Sequence, residues 1–293
     1  MTRSMSEPRR QATDFLQTTA EIRSNQAASD RYNHLVLHCP EVASRAQPGQ
    51  FALLSCLSSD ATERDPLLPR PMAFLDADPV EGTIEFLYFV AGRGTQLLSQ
   101  TVSVASSTPR SLRLIGPLGC GFEPLSGVDV HVGVGGGSGV APLVFFFRKM
   151  DLPGRHLILA ARSAGQLPAG KAMRMDGVAV TPATDDGTAG FHGNAVEALA
   201  DVLEGPLKGR RVALYVAGPE AMMLAAVRLA RRKGIPIRVS LEARMACGVG
   251  VCRGCVVNGC GSHGKTGLHR FAVCQDGPVF DPDALSGEWS AET

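Results

Sequence analysis

The sequence predicts a multidomain chain in three parts: an antiparallel β-barrel, an α/β domain with a parallel sheet, and a small C-terminal module. Three observations carry this. Short apolar runs recur between turn residues from Tyr32 to Gly121, the spacing of strands in an antiparallel barrel. After Gly127 apolar strands alternate with helix-like stretches, the mark of βαβ units. Beyond Ser240 neither pattern continues, and five of the eight cysteines crowd the remaining chain. At 293 residues the chain has room for about two domains of roughly 150 residues, or three smaller units.

Residues 1–17 are polar and basic without apolar period and are expected to form a flexible tail. The barrel is expected over 18–126, with strands at His34–Leu37, Phe51–Cys56, Thr83–Val90 and Ser111–Leu114. Pro48-Gly49, Pro69–Pro71 and Gly92–Gly94 break these runs. The α/β domain is expected over 127–239. Its strands are His131–Val134, His156–Ala160, Val178–Pro182 and Arg211–Ala217, and its helices lie around Leu143–Met150, Asn194–Leu203 and Glu220–Arg232. Residues 240–293 make the C-terminal module.

Composition removes several function classes. Lys+Arg 29 against Asp+Glu 28 leaves a net charge of +1, so no surplus positive field attracts nucleic acid or an anionic membrane. The longest apolar run, Val140–Phe147, contains Pro142 and stops at Arg148, far short of the roughly 18 residues that span a bilayer. Gln11–Asn25 is polar where a secretory signal needs an apolar core. A soluble cytoplasmic protein with neither nucleic acid nor membrane as partner is expected.

Cys247, Cys252 and Cys255 form C-x4-C-x2-C, and Cys274 follows after 18 residues. This is the ligand spacing of a plant-type [2Fe-2S] centre. Gly248, Gly250 and Gly254 suit a loop whose backbone N–H groups approach the sulfurs. A structural zinc site is the alternative, although only one C-x2-C pair is present where closed four-cysteine sites usually show two. Cys260 is the alternative fourth ligand, with four residues between it and Cys255. His263 and His269 are read as exposed loop histidines.

Strand His131–Val134 runs into Gly135, Gly136, Gly137, Ser138 and Gly139, followed by an apolar helix. A strand, a glycine turn and a helix N-terminus make an anion site. The register does not satisfy G-x-G-x-x-G, so a plain tight turn is the competing reading.

Several of these pieces together resemble the ferredoxin reductase type of flavoprotein. Pro48-Gly49-Gln50-Phe51 resembles its turn into an early barrel strand. Arg70-Pro71-Met72-Ala73 resembles its Arg-Pro-x-Ser/Thr motif, which implies that Arg70 holds the flavin pyrophosphate; Ala73 departs from the usual hydroxyl. Gly92-Arg93-Gly94-Thr95 is similar to the second pyrophosphate contact, and Gly116-Pro117-Leu118-Gly119 with Phe122 to the exit from the barrel. Gly135–Pro142 resembles the nicotinamide-phosphate loop. Ala217-Gly218-Pro219-Glu220 with Met222 resembles the Cys-Gly-Pro-x-x-Met element beside the nicotinamide, with alanine replacing the cysteine. The resemblance therefore implies an antiparallel β-barrel flavin domain, an α/β parallel-sheet nicotinamide domain and a [2Fe-2S] module.

Thr184-Asp185-Asp186-Gly187, Glu242–Gly248 and Cys274–Phe280 narrow the resemblance to electron-transfer subunits of class 1B dihydroorotate dehydrogenase. That family implies FAD, one [2Fe-2S] cluster, NAD, and a separate FMN-containing catalytic subunit that oxidises dihydroorotate to orotate, assembled as a heterotetramer. It also implies an oxidoreductase role in pyrimidine biosynthesis. The rivals are the flavin and iron-sulfur subunit of a ferredoxin-linked NADP reductase or sulfide dehydrogenase, and a non-enzymatic cysteine-site metal-binding protein. NADP stays open, because Ala160-Ala161 is followed by Arg162-Ser163 and not by an acid for the ribose 2′-OH.

Overall fold

In the computed structural model, which describes residues 15–101, 110–260 and 269–290, the chain begins with a closed barrel of antiparallel strands. Its elements are β1 (Leu16–Ala27), β2 (Tyr32–His38), α1 (Pro40–Ala43), β3 (Phe51–Ser58), β4 (Arg70–Asp78), β5 (Thr83–Phe89), α2 (Arg93–Gln100) and β6 (Ser111–Leu118). The strand order is β1-β2-β5-β4-β3-β6. Alternate residues point inward, so Ala20, Ile22, Leu35, Leu37, Ala52, Leu54, Phe74, Phe86, Leu112 and Leu114 form one buried core.

Two strands and both helices of this barrel were not expected from the sequence. β1 starts at Leu16, inside the segment expected as a tail; residues 1–14 lie outside the described residues. β4 begins at Arg70-Pro71, where the prolines read as a break. Proline is tolerated there because it sits at a strand start, and the register shift between Phe74 and Asp76 hides the alternation. α2 replaces the expected glycine break. Asn25, buried on β1, donates to the Leu98 carbonyl at 2.7 Å and accepts from the Tyr88 hydroxyl at 3.0 Å, which fastens α2 to the barrel.

The second unit comprises β7 (Val130–Gly136), α3 (Val140–Lys149), β8 (Arg155–Ala161), β9 (Ala179–Thr184), β10 (Phe191–His192), α4 (Ala195–Glu204), β11 (Val212–Ala217), α5 (Glu220–Lys233) and β12 (Ile237–Ser240). Every residue of β7 and β11 is buried, as in a parallel sheet covered on both faces. The C-terminal segment adds β13 (Val256–Gly259), β14 (His269–Ala272), α6 (Val273–Asp276) and β15 (Val279–Phe280). β15 pairs antiparallel with β12 and completes a seven-stranded sheet, order β10-β9-β8-β7-β11-β12-β15. The cysteine-bearing segment is thus stitched into the second sheet rather than hung beyond residue 239. Among the described residues no helix is long and apolar enough to cross a membrane.

Helix α3 joins barrel to sheet. Val140–Phe147 is buried on all sides: Phe145 belongs to the barrel core, while Phe146 packs on Tyr215 of β11 at 4.5 Å. At its C-terminal end Arg148 donates to Asp76 of β4 at 2.8 Å, lies 3.9 Å from Glu85 of β5, and donates to the carbonyls of Ala172 and Arg174. Burial raises the Asp76 carboxyl, with Arg148 pulling it back. Arg148→Leu is therefore expected to lower stability at pH 7 by about 2 kcal/mol, since charge-assisted hydrogen bonds are lost from a half-buried carboxylate. With its cation gone, Asp76 binds its proton more tightly folded than unfolded, so stability should recover as pH falls through the raised carboxyl value. Chemical denaturation at pH 7 and pH 5 checks both the loss and its sign.

Candidate functional site

A cavity of about 290 Å³ opens between barrel, sheet and C-terminal segment. Its barrel wall is Arg70, Pro71, Met72 and Ala73 of β4 with Leu87, Tyr88 and Phe89 of β5. Its sheet wall is Ser138, Gly139, Ala217 and Gly218, and its third wall is Leu241–Ala243, Met245 and Pro278. The four β4 residues singled out in the sequence therefore stand together, as does Thr95 at the cavity edge.

Arg70 and the start of α2 form one anion-binding surface. A Cβ on Gly94 would lie 2.8 Å from the Arg70 Nη2 atom and 3.0 Å from the Cys56 sulfur, so glycine lets the helix sit close against the guanidinium. A Cβ on Gly92 would meet open space. Thr95 Oγ1 accepts from the N–H groups of Ala91 and Gly92 and fixes the helix entry, leaving the N–H groups of the first turn directed outward beside the arginine. A pyrophosphate fits this surface. Ala73 and Ala217 line the cavity without a hydroxyl or thiol.

The glycine turn has a packing reason besides phosphate approach. Gly135 and Gly136 lie inside β7, and Gly137 adopts φ +60 beside the Tyr32 hydroxyl. A Cβ on Gly139 would come within 2.5 Å of the Gly218 nitrogen, so the two turns meet backbone to backbone. Pro219 precedes the first residue of α5. These residues place the N-terminal end of α3 at the cavity mouth. At the end of β8 the Asp185 N–H donates to the Ala161 carbonyl and that of Asp186 to the Arg162 carbonyl, which puts both aspartates beside Arg162. A search confined to the residue after β8 misses them because parallel pairing, not chain order, sets that neighbourhood.

Cys247, Cys252, Cys255 and Cys274, the cysteines expected as ligands, are joined by backbone hydrogen bonds, and each sulfur accepts a backbone N–H. Cys252 donates to Cys247 at 3.3 Å, Gly254 to Cys252 at 3.5 Å, Cys274 to Cys255 at 3.5 Å and Gly250 to Cys274 at 3.1 Å. Such donors favour thiolate sulfur. The thiols fall into two interacting pairs, Cys247 with Cys252 and Cys255 with Cys274, which suits a two-iron group. Among the described residues no three His, Cys, Asp or Glu side chains converge on a single-ion site. Burial works against the Cys247 thiol, but backbone N–H groups outweigh it and bring it down to about 7; burial and Cys255 push the Cys274 thiol up to about 12. The loop is tight enough that Gly248, Gly250 and even Arg253 take positive φ. Cys260 instead donates its thiol to the Leu285 carbonyl at 3.1 Å, away from the other four. His269 on β14 packs its ring at a tilt against Phe271 of the same strand, and His263 lies outside the described residues.

The cavity and the cysteine loop share a wall. Met245 lines the cavity two residues before Cys247, and Pro278 lines it four residues after Cys274. Such a barrel, glycine-turn sheet and four-thiol loop define a ferredoxin reductase-like fold. Residues 242–286 match the family model described as the iron-sulfur cluster binding domain of dihydroorotate dehydrogenase B. The chain is 34% identical over 252 residues to the dihydroorotate dehydrogenase B (NAD(+)) electron transfer subunit of Desulforamulus reducens, covering 84% of this chain and 89% of that protein. It is 32% identical to the subunit of the same name from Listeria welshimeri, covering 93% and 100%. The chain belongs to this family of electron transfer subunits. Among solved structures, the NADH-dependent reduced ferredoxin-NADP oxidoreductase studied for flavin-based electron bifurcation aligns with TM-score 0.74 and 25% identity, over 91% of this chain and 89% of that one. A ferredoxin NADP+ reductase from Neisseria gonorrhoeae, at TM-score 0.60 and 16% identity over 78% and 100%, shares the fold.

Replacing Cys274 by Ser should strip iron and sulfide from the purified chain, whereas Cys260→Ser should leave both at the wild-type level. Metal and acid-labile sulfide assays on the two variants separate the assignments, and iron retained in Cys274→Ser with iron lost in Cys260→Ser would reverse them.

Proposed function

We propose that this chain carries electrons between an FMN-containing dihydroorotate dehydrogenase catalytic subunit and NAD, using FAD in the three-walled cavity and a [2Fe-2S] cluster on Cys247, Cys252, Cys255 and Cys274. The observation that carries the reading is the shared wall: the segments that end in Cys247 and begin at Cys274 also line the cavity. When bound, FAD exchanges a hydride with nicotinamide and single electrons with an iron-sulfur cluster.

The chain's own residues supply position. Arg70 and the α2 N-terminus, with Gly92, Gly94 and Thr95, hold the flavin pyrophosphate, and the β4 wall from Pro71 to Ala73 sets the plane of the ring. Gly135, Gly136, Gly137 and Gly139 with Gly218 and Pro219 shape the turn that receives the dinucleotide phosphates. In this reading Asp185, at the end of β8, meets a ribose hydroxyl of NAD. Cys252 is exposed and Val251 beside it is 79% exposed, so the catalytic subunit docks on this side of the cluster loop, in a heterotetramer. A cytoplasmic location is part of this reading, in keeping with eight cysteines of which none is in a disulfide.

The purified chain should reduce an artificial acceptor with NADH yet leave dihydroorotate untouched, and should support NAD+-linked dihydroorotate oxidation only when the catalytic subunit is added. Turnover of dihydroorotate by the chain alone would contradict the assignment. Arg70→Ala should weaken FAD binding roughly tenfold to hundredfold, the equivalent of a lost charge-assisted hydrogen bond of about 1.5–3 kcal/mol. Flavin absorbance after gel filtration and dilution checks this, and undiminished occupancy would place the pyrophosphate elsewhere.

A further inference from the structure

A second cavity, of about 420 Å³, lies on the barrel and shares no lining residue with the first. Its floor is Ser55 and Leu57 of β3 with Arg113 of β6, and its roof is the β3–β4 connection from Ala61 to Leu67. A fault in strand pairing opens it. Leu54 pairs with Leu114 and Ser58 with Leu112, so Ser55, Cys56 and Leu57 stand opposite Arg113 alone. Such a bulge breaks the ladder and re-aims side chains. Cys56 is buried, while Ser55 and Leu57 turn to the cavity beside Arg113. The Ser55 hydroxyl mends the gap locally, donating to the Leu57 carbonyl at 2.9 Å and accepting from its N–H at 3.2 Å. The roof is hooked at its far end, where Asp65 pairs with Arg93 of α2 at 3.2 Å and the Leu68 carbonyl accepts from Arg70 at 2.6 Å.

The lining is lopsided in charge, with two guanidinium groups and no carboxylate. Among the described residues neither Arg64 nor Arg113 has an ion-pair or hydrogen-bond partner, and the Thr62 hydroxyl has none either. Asp60 is engaged by the Ser58 hydroxyl and Asp65 by Arg93, and Glu63 is not in the lining. Leu67 in the roof is 77% exposed. Two cations on one cavity repel each other, and a leucine left in water contributes no burial. Folding alone gives no reason for this set.

A ligand gives one. A phosphomonoester carries close to two negative charges near pH 7, and its oxygens accept charge-assisted hydrogen bonds from two guanidinium forks and a hydroxyl. A ring attached to it lies against Leu57, Pro66 and Leu67. A carboxylate would bring one charge for two. The cofactors leave this site free, since both FAD phosphates are assigned to Arg70 and the α2 N-terminus and those of NAD to the glycine turn of the second unit. We propose that the cavity binds a nucleoside monophosphate, with Arg64, Arg113 and Thr62 on the phosphate and Leu57, Pro66 and Leu67 on the base. Only the exclusion of FAD and NAD rests on the flavin reading above, and the test separates the two.

The full chain loaded with FAD and cluster, with NAD+ present to fill the nicotinamide site, is titrated in a calorimeter with UMP, AMP, their nucleosides and inorganic phosphate. At least one mononucleotide should bind once per chain, its nucleoside and inorganic phosphate each tenfold or more weakly. Arg64→Ala and Arg113→Ala should each weaken it roughly tenfold to hundredfold, with a smaller loss in Arg113→Lys. Flavin absorbance and iron content should stay at the wild-type level in all three, which also checks that the variants fold. No saturable mononucleotide binding at millimolar concentration, or binding that both alanine variants leave unchanged, overturns the proposal. Inorganic phosphate binding as tightly as the mononucleotide overturns it in favour of a bare anion site. Loss of FAD from Arg113→Ala overturns it as well, because the cavity would then hold part of the flavin cofactor. A wild-type chain that binds the mononucleotide through both arginines but takes up no flavin supports this site and counts against the flavin cavity alone.

Discussion

Helix α3 is the constraint on which the site depends. Its residues are buried from Val140 to Phe147, and the cluster that holds most of them includes Leu75 and Leu87 of the barrel as well as Leu157 and Tyr215 of the sheet, so neither unit can turn about the other without exposing large aromatic surface. Phe145 alone sits in the barrel core although it belongs to the second unit. One end of the helix carries the glycine turn to the cavity and the other clamps Asp76 through Arg148. The cavity between barrel and sheet is thus a product of close packing along α3.

The second constraint is the return of the C-terminal segment onto β12. Because β15 joins that strand, the chain leaving the sheet at Ser240 and the chain returning at Val279 run side by side, with Leu241 donating to the Pro278 carbonyl at 2.9 Å. The cysteine loop is the excursion between them, and it leans on the barrel where a Cβ on Gly248 would lie 2.7 Å from Leu53. Cavity and cluster loop are consequently neighbours through covalent chain, a route for electrons that needs no domain movement.

Much of this was legible in the sequence where local chemistry fixes structure. The cysteine spacing singled out four residues whose sulfurs each accept a backbone N–H in the fold, and alternating apolar runs marked four barrel strands. What stayed hidden was set by contacts distant in sequence. β1 has few inward apolar residues and relies on a buried Asn25, while β4 opens on a proline and carries a bulge. β15 is two residues long and exists only because β12 offers an edge. Asp185 reaches the end of β8 through pairing of β9. The motif Arg70-Pro71-Met72-Ala73 was visible as residues, but that it begins a strand facing the cavity was not.

The shared wall makes electron transfer between flavin and cluster an event within one molecule. Rapid mixing of the FAD-loaded and cluster-loaded chain with NADH, quenched by freezing and followed by flavin absorbance and the paramagnetic signal of the reduced cluster, measures this directly. If cavity and loop form one conduit, cluster reduction follows flavin reduction with a rate constant independent of protein concentration. A cluster that stays oxidised while the flavin is reduced, or whose reduction rate rises in proportion to protein concentration, would contradict it.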